Sequence, residues 1–245
     1  MRTLAIITGK CILSARRLAE AMNTRTHGEW QAKVIDIRRP GQMLGNIDHI
    51  FSYGCSEANQ HVGHLINKRE AIQRCVDKIK TFEVLLERGV PVPAWTKDKV
   101  IASAVWERIV VRSKVDGRKA EDLDYYFQGD VLPDAPLYTK YFEHKYEYRI
   151  VVFMGKVVGR YYKKEDGVDA SGQPEWSFMV QPKRGFEAID DACLKASEAL
   201  GIDFVGFDIV AMDKQHFVVL EANSGPILTE EAETAIVEYY LNLEV

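Results

Sequence analysis

Two acids and an amide near the end of the chain have the types and spacing to hold a hard cation. Asp208 lies inside the apolar run FVGFDIV, and Glu221 and Asn223 close the strand FVVLEAN before a break at SGP. A carboxylate on a core strand is costly unless something compensates it. A hairpin turning in MDKQ, centred on Asp213 and Lys214, predicts Asp208 opposite Val219, and the period-two alternation then puts Asp208, Glu221 and Asn223 on one face. Diagonal cross-strand neighbours lie about 7 to 8 Å apart. One or two magnesium ions bridging phosphate oxygens fill such a span, and oxygen donors suit magnesium rather than zinc. The plainer reading makes these acids outward-facing strand residues paired with lysines such as Lys214; the combination of an acid, a second acid two places before an amide, and a break favours the metal site.

A magnesium site needs phosphates and cations to hold them. Lys78 heads the helix DKIKTFEVLLERG, where its ammonium adds to the helix dipole in drawing an anion. Arg112 ends the strand RIVVR just before a polar loop. In EYRIVVF, Glu147 and Arg149 are two apart and share a face, and Arg149 can fork a phosphoryl or carboxylate group. A cross-strand ion pair worth ~0 to 1 kcal/mol is the equal alternative for that pair. Lys163 ends GRYYKK, but a simple two-residue turn at Met154 and Gly155 puts it on the opposite face from Arg149, so a bulge is needed to bring it in.

The elements that must position these residues follow from periodicity. LAIIT, AKVIDIR and DHIFSYG read as strands and CILSARRLAEAMN as an amphipathic helix, which predicts a small parallel sheet with crossover helices in the first 75 or so residues. In NKREAIQRCVDKIKTFEVLLERGVPVP, Ile79, Phe82, Leu85 and Leu86 recur at helical spacing, with Gly89 as cap and Pro91 as stop. KVDGRKAEDLD and DGVDASGQPEW are polar enough to be surface loops, AIDDACLKASEALGI is a helix ending at Gly201, and EEAETAIVEYYLNLEV is a helix for its own core or a partner.

Composition bounds the rest. A chain of 245 residues with 47% hydrophobic content can bury a sizeable core in one or two domains, and a net charge of -4 gives no global basic footprint for nucleic acid, leaving room for a local basic groove. In the loop with Lys114, Arg118 and Lys119, interleaved acids favour a solvated surface over a nucleic-acid patch. The 4 cysteines lack CxxC spacing, Cys55 reads as a buried thiol, and no run reaches a membrane span; these features point to a reduced, cytoplasmic protein. Of the 6 histidines, His61 and His64 are close enough to share a helical face, and without a third ligand they read as solvated or capping residues.

The order DKIKTFEVLLERGVPVP, IVVRS, LYTKYFEHKYEYRIVVFMGKVV, GFDIV and VVLEANSGP resembles the ATP-grasp superfamily, most of all its short members found in bacteriophage genomes, over roughly residues 65 to 226. The resemblance implies an α/β (α+β) fold with two α+β subdomains clamping ATP, 76–138 and 139–245, preceded by a small parallel α/β domain at 1–75. It implies ATP and Mg2+ as cofactors, with Asp208, Glu221 and Asn223 as metal ligands and Lys78 and Arg112 on the phosphates. Lys140 and Phe142 in the hinge TKYF would contact adenine and Glu147 ribose. Arg149 would stabilise the transferring phosphoryl group, and Lys163 matches a lysine at the end of the next hairpin. The phosphate-covering loop departs from the family in offering Gly117 as its only glycine.

The activity implied is carboxylate–amine ligation through an acyl phosphate, on small-molecule or peptide substrates. The alternatives are an ATP-binding module without ligase activity and a kinase-like enzyme that stops at phosphoryl transfer.

Overall fold

The computed structural model describes residues 1–9, 11–39, 46–56, 64–116, 123–168 and 174–243. The N-terminal strands are β1 (Arg2–Thr8), β2 (Trp30–Asp36), β3 (His49–Ser52) and β4 (His64–Ile66), with helix α1 (Ile12–Arg25) between the first two. They form a parallel sheet in the order β2-β1-β3-β4. The near-continuous burial of β1 suits a strand covered on both faces. The other expected crossovers fall largely on residues 40–45 and 57–63, outside the described residues, as does His61.

The next stretch forms two helices, α2 (Arg69–Val76) and α3 (Lys78–Glu87). They part at Asp77, whose extended backbone and carboxylate cap α3 by accepting from the Ile79 and Lys80 N–H groups at 3.1 and 3.2 Å. At the other end Gly89 takes φ 68, so its N–H reaches the Leu86 carbonyl and the Val90 N–H reaches that of Leu85. Periodicity placed Leu86 with the apolar face; it is exposed, and the buried stripe is Lys78, Thr81, Phe82 and Leu85.

A second sheet holds β5 (Trp95–Thr96), β6 (Arg108–Arg112), β7 (Leu123–Phe127) and β8 (Leu137–Lys140) in the antiparallel order β5-β8-β6-β7, with helix α4 (Lys99–Val105) beside it. A third sheet runs β11-β10-β9-β12-β13, from β9 (Tyr146–Phe153), β10 (Lys156–Val168), β11 (Pro174–Val180), β12 (Phe204–Ala211) and β13 (Phe217–Asn223). Helices α5 (Glu187–Leu200) and α6 (Glu230–Leu241) complete the chain.

Alternation along β9 and β12 decides what faces what. Tyr148, Ile150, Val152, Val205, Phe207 and Ile209 belong to one core with α2, α3 and α5. Val151, Phe153 and Phe204, on the opposite face, join a second core with α1, α6 and the N-terminal sheet. Continuing along that second face, Arg149 and Glu147 leave the core, so one strand face runs from packed interior to polar cleft. The C-terminal helix packs on its own core, with Ile236, Val237 and Tyr240 buried.

Three expectations are revised. The stretch read as a loop at DGVDASGQPEW holds the end of β10 and the start of β11; only 169–173 lie outside the described residues. The polar stretch after Arg112 lies partly outside them too, at 117–122, Gly117, Arg118 and Lys119 included, and β7 begins at Leu123. The last hairpin turns on a three-residue loop: the Met212 N–H bonds the His216 carbonyl, and the Asp213 carboxylate accepts from the Gln215 and His216 N–H groups.

Candidate active site

The revised turn and a bulge change the register of β12 against β13. Ile209 faces Val219, the pairing shifts by one at Leu220, and Asp208 stands directly opposite Glu221 rather than Val219. The expected convergence therefore holds with closer neighbours. Asn223 lies on the same face, and its amide nitrogen donates to Asp208 Oδ2 at 3.3 Å. Lys214 sits elsewhere, with Nζ 4.3 Å from the Phe186 ring centroid, so it does not neutralise these acids.

The partners of the three are cations of the cleft. Arg149 forks Asp208, with Nε to Oδ1 and Nη2 to Oδ2 both at 2.7 Å. Burial works to lower the Arg149 pKa, and the Asp208 carboxylate more than offsets it, so the net shift is upward. Lys78 Nζ lies 3.7 Å from Glu221 Oε1, although Lys78 is only 4% exposed. Arg112 ends β6 beside them. Burial pulls its pKa down, offset in part by Glu221 and Tyr125, and its buried Nε makes no hydrogen bond among the described residues.

The first hairpin delivers its residues as the bulge argument requires. Met154 and Gly155 turn with φ 47 and 69, and the register then shifts between Val157 and Gly159, leaving Val158 as the extra residue. Beyond the shift Tyr161 faces Arg149 and Tyr162 faces Tyr148. Lys163 thereby reaches Glu147, Nζ to Oε2 at 3.3 Å, and its ammonium lies 4.0 Å from the Trp176 ring centroid. His144 also approaches Glu147, at 3.5 Å. In the hinge after β8, the Lys140 N–H bonds the Ala94 carbonyl and the Tyr141 N–H the Arg108 carbonyl, whereas the Phe142 N–H makes no bond among the described residues.

A cleft of about 850 Å³ between the second and third sheets is lined by all of these residues, Lys78, Arg112, Lys140, Phe142, Glu147, Arg149, Lys163, Asp208, Glu221 and Asn223. No family model matches the sequence. Over 196 residues the chain is 30% identical to human N-acetylaspartylglutamate synthase A, covering 72% of this chain and 48% of that protein. It is 28% identical to human beta-citrylglutamate synthase B over the same shares. The chain thus spans about half the length of the curated relatives it matches. Among solved structures, the ATP-grasp ligase PsnB complexed with a minimal precursor superposes with a TM-score of 0.75 at 16% identity, covering 99% of this chain and 100% of that one. The chain has the ATP-grasp fold.

The ATP-grasp fold explains why the polar face of β9, β12 and β13 opens toward the second sheet rather than toward solvent. The donor set fits a hard divalent cation: two carboxylates and an amide, all oxygen ligands, beside cations that match phosphate. Sequence reasoning missed Tyr125 on β7 and Trp176 and Phe178 on β11, which wall the same cleft. The alternation in EWSFMV was the available signal, hidden by the Gly- and Ser-rich segment before it. Phe178 supports the Arg149 guanidinium at 5.1 Å. His64, read as solvated or capping, instead meets the His49 ring at 4.7 Å and the Tyr239 hydroxyl at 3.0 Å.

Proposed function

We propose that this protein is an ATP- and magnesium-dependent ligase that joins a carboxylate to an amine through an acyl phosphate. The observation that carries the reading is Arg112: a guanidinium whose buried Nε has no hydrogen-bond partner among the described residues, in a cleft with Lys78 and Arg149, is a site prepared for an anion. PsnB has been solved with magnesium and ADP, at a TM-score of 0.69 to this chain, which supports the same ligands here.

Lys78 and Arg112 would hold the phosphates. The backbone at Lys140 and Phe142 would meet adenine, and Glu147 the ribose, with Lys163 held between Glu147 and Trp176. Asp208, Glu221 and Asn223 would hold magnesium, which supplies charge neutralisation at the phosphate oxygens. A substrate carboxylate oxygen attacks the γ-phosphorus, the bond to the bridging oxygen breaks, and ADP leaves. The lone pair of an amine then attacks the acyl carbon, the bond from that carbon to the phosphate oxygen breaks, and phosphate departs with the proton that the nitrogen gives up. Arg149 stabilises the charge that develops on the transferring group, and the cleft walls keep water from the mixed anhydride.

The domain division 1–75, 76–138 and 139–245 belongs to this reading; its second boundary falls inside β8, next to the hinge. A cytoplasmic setting and a bacteriophage origin belong to it as well. For the setting, Cys75 and Cys193 are buried thiols outside any disulfide among the described residues, which suits a reducing compartment. No helix among the described residues is long and apolar enough to cross a membrane.

The names of the two synthases share a glutamate, so L-glutamate is the first amine to try, followed by other amino acids and peptides. Incubation with ATP, Mg2+ and paired carboxylates and amines should release ADP and phosphate only when both substrates are present, with the amide detected by mass. ADP release without any amine requirement would point to a kinase-like enzyme, and nucleotide binding without turnover to a binding module.

A further inference from the structure

The two acids that would hold the metal are both engaged by cations of the cleft. Asp208 carries the strongest of these contacts. Its Oδ2 accepts from Arg149 Nη2 at 2.7 Å and from Asn223 Nδ2 at 3.3 Å, which occupies both lone-pair directions of that oxygen. Its Oδ1 accepts from Arg149 Nε at 2.7 Å, so a divalent ion at the remaining direction would sit beside a guanidinium in a partly buried site, where like charges repel strongly. Glu221, directly across the strand pair, is approached by Lys78. The arrangement is a set of internal ion pairs whose partners can be exchanged. A phosphate offers a guanidinium the same forked, two-bond geometry as a carboxylate.

We propose that Arg149 gates the metal site: its fork on Asp208 excludes a divalent cation until the phosphates of a bound nucleotide draw the guanidinium away, so metal and nucleotide bind as a coupled pair. The proposal rests on the nucleotide-binding reading above. Exchange leaves every charged group paired, because Asp208 trades a guanidinium for a metal ion while Arg149 trades a carboxylate for a phosphate. Each ligand thereby removes an obstacle to the other, which is positive coupling in the thermodynamic sense. Phe178 beneath the guanidinium gives it an apolar surface on which to pivot without entering bulk water.

The test uses Mn2+ as the metal probe, counted by electron paramagnetic resonance of the free ion, and ADP as the nucleotide, measured by calorimetry on the full chain. In the wild-type protein Mn2+ alone should bind weakly, and Arg149→Met should bind Mn2+ without nucleotide at least about tenfold more tightly, within the range of ordinary coupling between sites. Arg149→Lys, which keeps the charge but loses the fork, should fall between them. Equal Mn2+ affinity in the wild type and Arg149→Met overturns the gate while leaving nucleotide binding intact. Should the variants not fold, the Arg149 Nε–H resonance of the wild type decides: it should shift on addition of ADP without metal, and a resonance that stays in place overturns the proposal. Absence of ADP binding with and without Mn2+ removes the nucleotide reading itself, and the gate with it.

Discussion

At Arg112 the demands of stability and of binding oppose each other. A guanidinium whose buried Nε lacks an acceptor among the described residues is destabilising, since its desolvation is only partly offset by Glu221 and Tyr125. Arg112→Met should therefore raise the melting temperature of the ligand-free protein by a few degrees, about what 1 kcal/mol yields in a chain of this size. The same variant should lose most of the thermal shift that Mg–ADP induces; scanning calorimetry with and without ligand reads both effects. Glu221 and Arg149 act on the reaction rather than on the fold. Glu221→Gln and Arg149→Ala should each lower turnover by about 10² to 10³ while circular dichroism stays native, and full ATP-dependent turnover in either would contradict their assignment.

Single elements decide which way these residues point. Bulging out Val158 as the extra residue lets Lys163 reach Glu147. Deleting Val158 should give a plain two-residue hairpin with the same later pairs, because it is the residue without a cross-strand partner, so Lys163 should stay over Glu147. The expected result is ATP binding at an unchanged KM in a protein that still folds; a raised KM would mean that the bulge does more than set the register. On the N-terminal sheet, His49 is packed edge-on against Trp30 and Tyr240 with His64 beside it, and its Nδ1 makes no hydrogen bond among the described residues. Burial, then the neighbouring His64, lowers its pKa to about 4 from 6.5, while Asp48 works upward and Arg2 downward. The unfolded chain then binds more protons than the folded one between pH 6.5 and 4, so stability is full above that window and falls as pH drops through it. His49→Gln should flatten the slope of melting temperature against pH there; an unchanged slope would assign the acid sensitivity elsewhere.

Over the whole molecule, the N-terminal sheet holds the end of the strand that bears Glu221 and Asn223. The Gly54 N–H donates to the Ser224 carbonyl at 3.1 Å, the Tyr53 hydroxyl donates to the Pro226 carbonyl, and Asn67 bridges Asp203, Phe204 and Ser224. A Cβ on Gly225 would stand 2.9 Å from both Gly54 Cα and Cys11 Sγ, too close for either unit to remain in place. Gly225→Ala should cost about 1 to 3 kcal/mol, as overpacking does. It should also lower turnover by moving Asn223; urea denaturation and a turnover assay separate the two effects. Pro226 lies over Gly206, where a Cβ would meet it at 2.8 Å, which is why the strand can break at SGP and return across its neighbour.

Local pattern was enough to read the polar strand ends, the capped helix before Pro91, the hairpin at Met154 and Gly155 and the trio of oxygen donors, because alternation and turn chemistry act over a few residues. Registers were not readable in the same way. The shift at Leu220 puts Glu221 rather than Val219 against Asp208, and the bulge at Val158 brings Lys163 over Glu147; both depend on pairing with a neighbouring strand, which local periodicity does not encode. Arg149 likewise has two partners open to it in the sequence, a phosphate or a carboxylate. Tertiary packing chose Asp208, because the pairing of β12 with β9 sets Asp208 directly opposite Arg149, within reach of both arms of its fork.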